Sequence, residues 1–248
     1  MIRRHLNTLV FILIVVINAL ANLLPINGQT TGEISNRIDV LITPAGYAFS
    51  IWTLIYVLIG IWIIRQYPRE RRGLPVYTNT SIIFMLSGLL NCTWILTWHY
   101  EYFITSLAVM FAYLISLIIL YRRMKNSNPG FFDIAPFSIN LGWISVATIV
   151  NVAYVLKEYG WDGFGLSGEI WTAIMLVVGT GLPIIFKFKE SDYLYPFVFV
   201  WAYIAIGVRN QETSEGIAYI AYGLAVIIFI ASCIPVNKQK QTYNHNLR

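Results

Sequence analysis

The chain has 248 residues, of which 57% are hydrophobic and 12% charged, with a net charge of +5 at pH 7. A soluble domain averages about 45–50% apolar and about 25% charged residues, so this composition leaves too little polar surface to cover a water-soluble globule. It excludes a soluble enzyme, a disordered chain and, despite the basic balance, a nucleic-acid binder; it indicates a polytopic membrane protein.

A hydrocarbon core about 30 Å thick takes roughly 20 helical residues per crossing. The apolar runs predict eight spans, at about 6–26, 44–65, 80–98, 102–121, 136–157, 167–187, 193–208 and 215–235. Helices are expected because the runs are continuous, whereas a barrel alternates apolar and polar residues. The first span carries Asn18 and Asn22 and is predicted to face other helices. Arg3 and Arg4 before it and Ala19-Leu20-Ala21 within it also fit a signal peptide. Retention as a first helix is preferred, because seven spans follow. The seventh is the shortest, bounded by Asp192 and Arg209.

Loop charge tests this count. With the N-terminus inside, 14 of the 17 Lys and Arg residues fall in cytoplasmic segments, and eight of the 12 Asp and Glu residues fall outside. The asymmetry alternates through every loop, as the positive-inside rule requires. Both termini are therefore predicted to be cytoplasmic in a cell-membrane protein. The basic balance reflects topology rather than an anionic partner.

Cys92 and Cys233 lie far apart in apolar runs and are read as small buried hydrophobes. His5, His99 and His245 are scattered, so no metal site is predicted. No Asp, Glu, Lys or Arg occupies the middle of a span, which argues against an ion-driven transporter. Gly179-Thr180-Gly181 lacks the lysine of a nucleotide-binding loop and reads as a packing or flexing point. No serine pairs with a membrane-depth histidine, so hydrolase machinery is not visible and no catalytic residue is assigned.

The spans instead hold aromatics and amides: eight Trp, 16 Tyr and 14 Phe in the chain. An interfacial belt suits Trp62, Trp161 and Trp171 near span ends. It suits Trp52, Trp94 and Trp143 less well, since these lie deeper and beside polar residues. Phe49, Trp52 and Tyr56 recur at i, i+3 and i+7, and so do Asn91, Trp94 and Trp98. Asn140 and Asn151 are about 20° apart around an ideal helix, with Trp143, Ala147 and Tyr154 on an adjoining stripe. A buried amide costs free energy unless it is bonded. These faces therefore point at another helix, at water or at a ligand.

Together the stripes resemble the TspO/MBR family, the tryptophan-rich sensory proteins that include the mitochondrial translocator protein. Pro44-Ala45-Gly46-Tyr47-Ala48-Phe49-Ser50-Ile51-Trp52-Thr53-Leu54-Ile55-Tyr56 is similar to the family's P-P-G-W-V-F…W-x-x-L-Y segment. Leu90-Asn91-Cys92-Thr93-Trp94 resembles L-N-x-x-W, and Trp143-Ile144-Ser145-Val146-Ala147-Thr148-Ile149-Val150-Asn151 resembles W-x-x-F-A-T-x-L-N. Ala45 replaces the second Pro and Tyr47 the usual Trp.

The resemblance covers about residues 1–160 and implies an all-α integral membrane protein. It would have a TspO-like five-helix bundle over 1–160, three additional transmembrane helices over 161–237, and a cytoplasmic tail over 238–248. It also implies a pocket for a porphyrin- or sterol-like molecule, lined by Phe49, Trp52, Asn91, Trp94, Trp143, Ala147 and Asn151 and opening near the first loop; on the predicted topology the 27–43 loop, with Gly28, Gly32 and a polar run, lies outside the membrane and is expected to act as a lid. A tetrapyrrole is implied as ligand rather than cofactor, with the lipid bilayer and a second copy of the chain as partners. The expected function is a non-enzymatic receptor or sensor. A transporter or scramblase of tetrapyrroles or lipids is the alternative, and a porphyrin-degrading enzyme the next. Trp171 and Trp201, outside the matched unit, are expected to be interfacial or packing residues.

Overall fold

The computed structural model describes residues 2–24 and 26–236, and among these there is no strand. Ten α-helices follow in chain order: α1 (Ile2–Leu23), α2 (Thr31–Arg37), α3 (Ile51–Ile64), α4 (Pro75–Thr78), α5 (Ser81–His99), α6 (Phe103–Lys125), α7 (Phe131–Glu158), α8 (Gly168–Glu190), α9 (Leu194–Asn210) and α10 (Glu215–Cys233). A 3-10 turn, Gly46–Ser50, leads into α3. The tail expected over 238–248 lies outside the described residues.

Among the described residues, seven helical segments are long and apolar enough to cross a membrane. The run predicted as the seventh span is present as an apolar helix, α9, but its 17 residues fall below the length of those seven. At 1.5 Å per residue it extends about 25 Å, and Pro196 and Arg209 near its ends fit its brevity.

The long helices close a ring. α1 packs against α3 and α5, α5 against α6, α6 against α7, and α7 against α3. The last three helices pack on one another, and α9 seats this group against α7. Gly142 sits at that crossing: a Cβ there would stand 3.0 Å from Val198 Cβ and 3.1 Å from the Tyr195 carbonyl oxygen. α7 is therefore enclosed on both sides, which explains why most of its residues are buried. Outward faces stay apolar, as at Leu9, Ile12 and Val16 of α1, and Val177 and Val178 of α8. Such surface is stable only against lipid or protein.

Amides join the helices. Asn7 Nδ2 donates to Gln66 Oε1 at 2.9 Å and Ser81 Oγ to Asn7 Oδ1 at 2.8 Å. Asn140 Nδ2 donates to Tyr113 Oη at 3.1 Å, so this amide binds a neighbouring helix.

Three expectations are corrected. Trp62 is not interfacial: it is fully buried between Phe84 and Phe137, at centroid distances of 4.9 and 5.0 Å. Cys233 is exposed, because α10 turns that face outward at its last turn, while Cys92 is buried as expected. α7 begins at Phe131 rather than near Pro136 and brings Asp133 into a buried position. Arg65 Nε, Arg71 Nη2 and the Tyr77 hydroxyl reach that carboxylate at 3.2, 2.9 and 2.9 Å, which makes its burial tolerable.

Candidate functional site

The segment joining α1 to α3 folds back over the helix ends. Thr30 caps α2: its Oγ1 accepts the Glu33 N–H at 3.2 Å, and Glu33 accepts the Thr30 N–H at 2.7 Å. This reciprocal arrangement satisfies two otherwise orphaned donors. The Thr30 N–H, followed by the Thr30 hydroxyl, holds the Glu33 carboxyl below its usual range. Further contacts dock the segment on the α5–α6 corner. Asn27 Nδ2 donates to the His99 carbonyl at 3.0 Å, and Arg37 Nη1 pairs with Glu101 at 2.5 Å. The Arg37 guanidinium, followed by Gln29, holds the Glu101 carboxyl below its usual range.

Beneath this segment is a cavity of about 490 Å³, within the roughly 300–1,000 Å³ typical of small-molecule sites. Its walls are the Asn18 and Asn22 face of α1, the Thr30–Gly32 start of α2, the aromatic stripe Phe49, Trp52 and Tyr56, and Trp94 of α5. The helical spacing of that stripe puts its rings on one face, and Trp52 stacks on Tyr56 with centroids 5.5 Å apart and planes 19° apart.

Of the seven residues assigned from sequence, Phe49, Trp52 and Trp94 line the cavity. The other four stand behind the lining. Trp143 is buried with its ring edge-on to both Phe49 and Trp52. Asn91 Oδ1 accepts from Asn18 Nδ2 at 2.9 Å, so it fixes a lining amide. Asn151 receives a long 3.5 Å bond from Trp94 Nε1 and donates to the Ala147 carbonyl at 2.9 Å. The Asn and Trp stripes therefore serve both readings, holding helices together and orienting a wall.

Two donors around the cavity remain unspent. The Tyr56 hydroxyl and Asn91 Nδ2 are buried with no hydrogen-bond partner among the described residues. Buried polar groups are nearly always satisfied, so these two stand out within the bundle.

The turn that carries Phe49 is gripped from the far side. Trp201 Nε1 donates to the Ala48 carbonyl at 3.1 Å, the Ala45 N–H donates to the Ala205 carbonyl at 3.0 Å, and Tyr47 packs edge-on against Trp201 at 5.3 Å. Trp201 is thus a packing residue, as expected, but one that packs on the site. Trp171 donates to the Gly163 carbonyl at 2.6 Å and packs on Trp161, and it is not part of the cavity lining.

The family model for TSPO-like proteins matches residues 4–234. The chain belongs to the TSPO-like family. The match runs past residue 160 and takes in α8, α9 and α10, so in this TSPO-like chain the helices that grip the Ala45–Phe49 turn lie within the matched region. No curated protein and no solved structure matches the chain. Membership points to a multi-pass membrane protein with a sensing or binding role.

Sequence reasoning assigned neither Asn18, Asn22 nor Tyr56 to the site of this TSPO-like protein, although each was marked as polar or as part of a stripe. The signal for the α2 wall was present as Thr30-Thr31-Gly32-Glu33, a threonine followed three places later by glutamate.

Proposed function

We propose that this TSPO-like protein is a membrane receptor or sensor that binds a flat hydrophobic molecule, porphyrin- or sterol-like, in the cavity between α1, α2, α3 and α5. The observation that carries the reading is the convergence of three aromatic rings, Phe49, Trp52 and Trp94, with the amides of Asn18 and Asn22 on one cavity. Aromatic faces suit a flat apolar ligand, and a few polar groups fix its orientation. Trp143, Ala147, Asn91 and Asn151 contribute by holding the walls. The role is binding rather than turnover.

The proposed setting is the cell membrane, with α9 as an eighth, short crossing and both termini cytoplasmic. Residues 1–160 form the ligand unit, 161–237 a supporting group, and a second copy of the chain is the proposed protein partner. Single cysteines at positions 30 and 70, in a background without Cys92 and Cys233, are expected to label from opposite sides. Labelling from one side contradicts this topology.

The binding test is titration of the protein in lipid nanodiscs with protoporphyrin, followed by tryptophan emission. Saturable quenching, reduced in Trp52→Ala, is the expected result. Quenching that rises without saturation, or that is unchanged by Trp52→Ala in folded protein, overturns the reading. Flux of the ligand into sealed vesicles would favour the transport alternative.

A further inference from the structure

A second cleft, of about 500 Å³, lies at the end of the bundle where α1 begins. Along α1 it is about 12 Å from the ligand cavity, taking 1.5 Å per residue from Asn7 to Val15. Arg3 and Arg4 from α1 and Arg72 from the α3–α4 connection converge on it, and no acidic residue lines it. Among the described residues none of these three arginines makes a salt bridge. The nearby carboxylate of Asp133 is already taken by Arg65, Arg71 and the Tyr77 hydroxyl.

The three guanidinium groups are oriented but not used up. Arg3 Nη1 donates to the Thr78 carbonyl at 3.3 Å and Arg72 Nε to the Tyr67 carbonyl at 2.8 Å. Arg4 lies over the Tyr67 ring at 5.5 Å, and its Nε is buried with no acceptor among the described residues. The cleft floor is settled internally by the Asn7, Gln66 and Ser81 bonds. The first turns of α1 and α5, which both border the cleft, carry no acidic residue, so their positive dipole ends are uncompensated. The positive-inside tendency explains why basic residues collect at this end. It does not explain three arginines lining one cleft with no carboxylate among its walls.

We infer that this cleft binds a terminal phosphate group, such as a phosphomonoester headgroup or inorganic phosphate presents. Guanidinium forks match phosphate oxygens in pairs, and charge-assisted bonds of this kind are the strong ones. A phosphomonoester carries nearly two negative charges and three acceptor oxygens near pH 7. Ile2 and Leu6 on the same turns are exposed and apolar, so an acyl chain has a surface to follow. The phosphate is either the headgroup of an anionic lipid or a free phosphate.

The test is native mass spectrometry of the full chain in detergent, titrated with phosphatidic acid and with phosphatidylcholine, with inorganic phosphate as competitor. Saturable binding of phosphatidic acid in preference to phosphatidylcholine is expected. Arg4→Gln with Arg72→Gln should weaken it about tenfold or more, at about one surface-cation contribution per residue. Arg122→Gln with Lys189→Gln, which removes basic residues at the same end but outside the cleft, should weaken it less than about threefold. Displacement by inorganic phosphate identifies a free-phosphate site, and its failure to compete identifies a lipid site; both support the inference. Equal binding of the two lipids, or equal loss in the two double variants, overturns it. If the first double variant does not fold, Arg72→Gln alone carries the test, since that side chain is exposed and outside the Asp133 cluster. It must still lose about threefold, and unchanged affinity overturns the inference.

Discussion

The indole of Trp143 stands edge-on to that of Trp52, with ring centroids 6.5 Å apart and planes at 87°. Phe49 meets the same indole at 5.8 Å and 87°. Trp143 therefore braces two rings of the cavity wall without being part of the lining. Each edge contact is worth about 0.5–1.5 kcal/mol beyond area, and a truncated indole leaves a void into which the platform collapses. Trp143→Ala should weaken binding of a protoporphyrin-type ligand by about one to two decades, at about 1.4 kcal/mol per decade. Trp171→Ala, outside the lining, should leave affinity nearly unchanged. Emission titrations of the two folded variants check the contrast.

The amide pair Asn18–Asn91 makes a prediction about stability. Asn91 already has an unpaired Nδ2, and its Oδ1 has Asn18 as partner. Asn18→Ala strips that partner and should cost about 1–3 kcal/mol, the usual penalty for a buried polar atom left alone. Asn18→Leu combined with Asn91→Leu should recover part of the loss, because both ends of the bond are then apolar. Melting temperatures in one detergent compare the three proteins.

The α7–α9 crossing has no room for a methyl group at Gly142. One neighbour is the Tyr195 carbonyl, which is backbone and cannot swing aside. Gly142→Ala should force the helices apart and destabilise the protein by about 1–3 kcal/mol. Gly181→Ala, where a Cβ meets nothing within 4 Å, should be neutral or slightly stabilising. Thermal unfolding followed by circular dichroism distinguishes the two.

The docking of the 27–43 segment depends on pH. Glu101 is held below its ordinary 4.5 by Arg37. A carboxyl with a lowered folded-state value binds fewer protons folded than unfolded, so its contribution is fully present above 4.5 and is lost as pH falls through the folded value. The pair is over a third exposed, so solvent and salt reduce its strength. Hydrogen exchange across 27–43, referenced to unfolded-chain rates, should show protection falling below about pH 4.5. In Glu101→Gln this fall should be reduced.

The helices were legible because an apolar run of span length has few other solutions, and the predicted boundaries of α5, α6 and α8 lie close to the observed ones. The start of α7 was not. The predicted span began at residue 136, and only the arginines and tyrosine around Asp133, distant in sequence, allow the helix to begin earlier. The site was half legible. Periodicity places Trp52 and Trp143 on inward faces but does not tell which of two touching rings meets the empty space. That depends on where α1 and α2 stand, and the polar residues of those elements, Asn18, Asn22 and Thr30, carry no aromatic signature. Trp62 was misread because closeness to a span end says nothing of burial once a neighbouring segment folds over it.

The bond from Trp201 to the Ala48 carbonyl joins positions 153 residues apart. A ribosome delivers helices in order, so the turn bearing Phe49 enters the bilayer long before its clamp exists. Until α9 follows, that carbonyl and the Ala45 N–H lack the partners that fix the turn. The wall of the cavity is thus among the last features to mature, and occupancy by a ligand would report that translation had run almost to its end. A chain halted after α7 would hold every aromatic residue of the site and still lack the means to keep them in place.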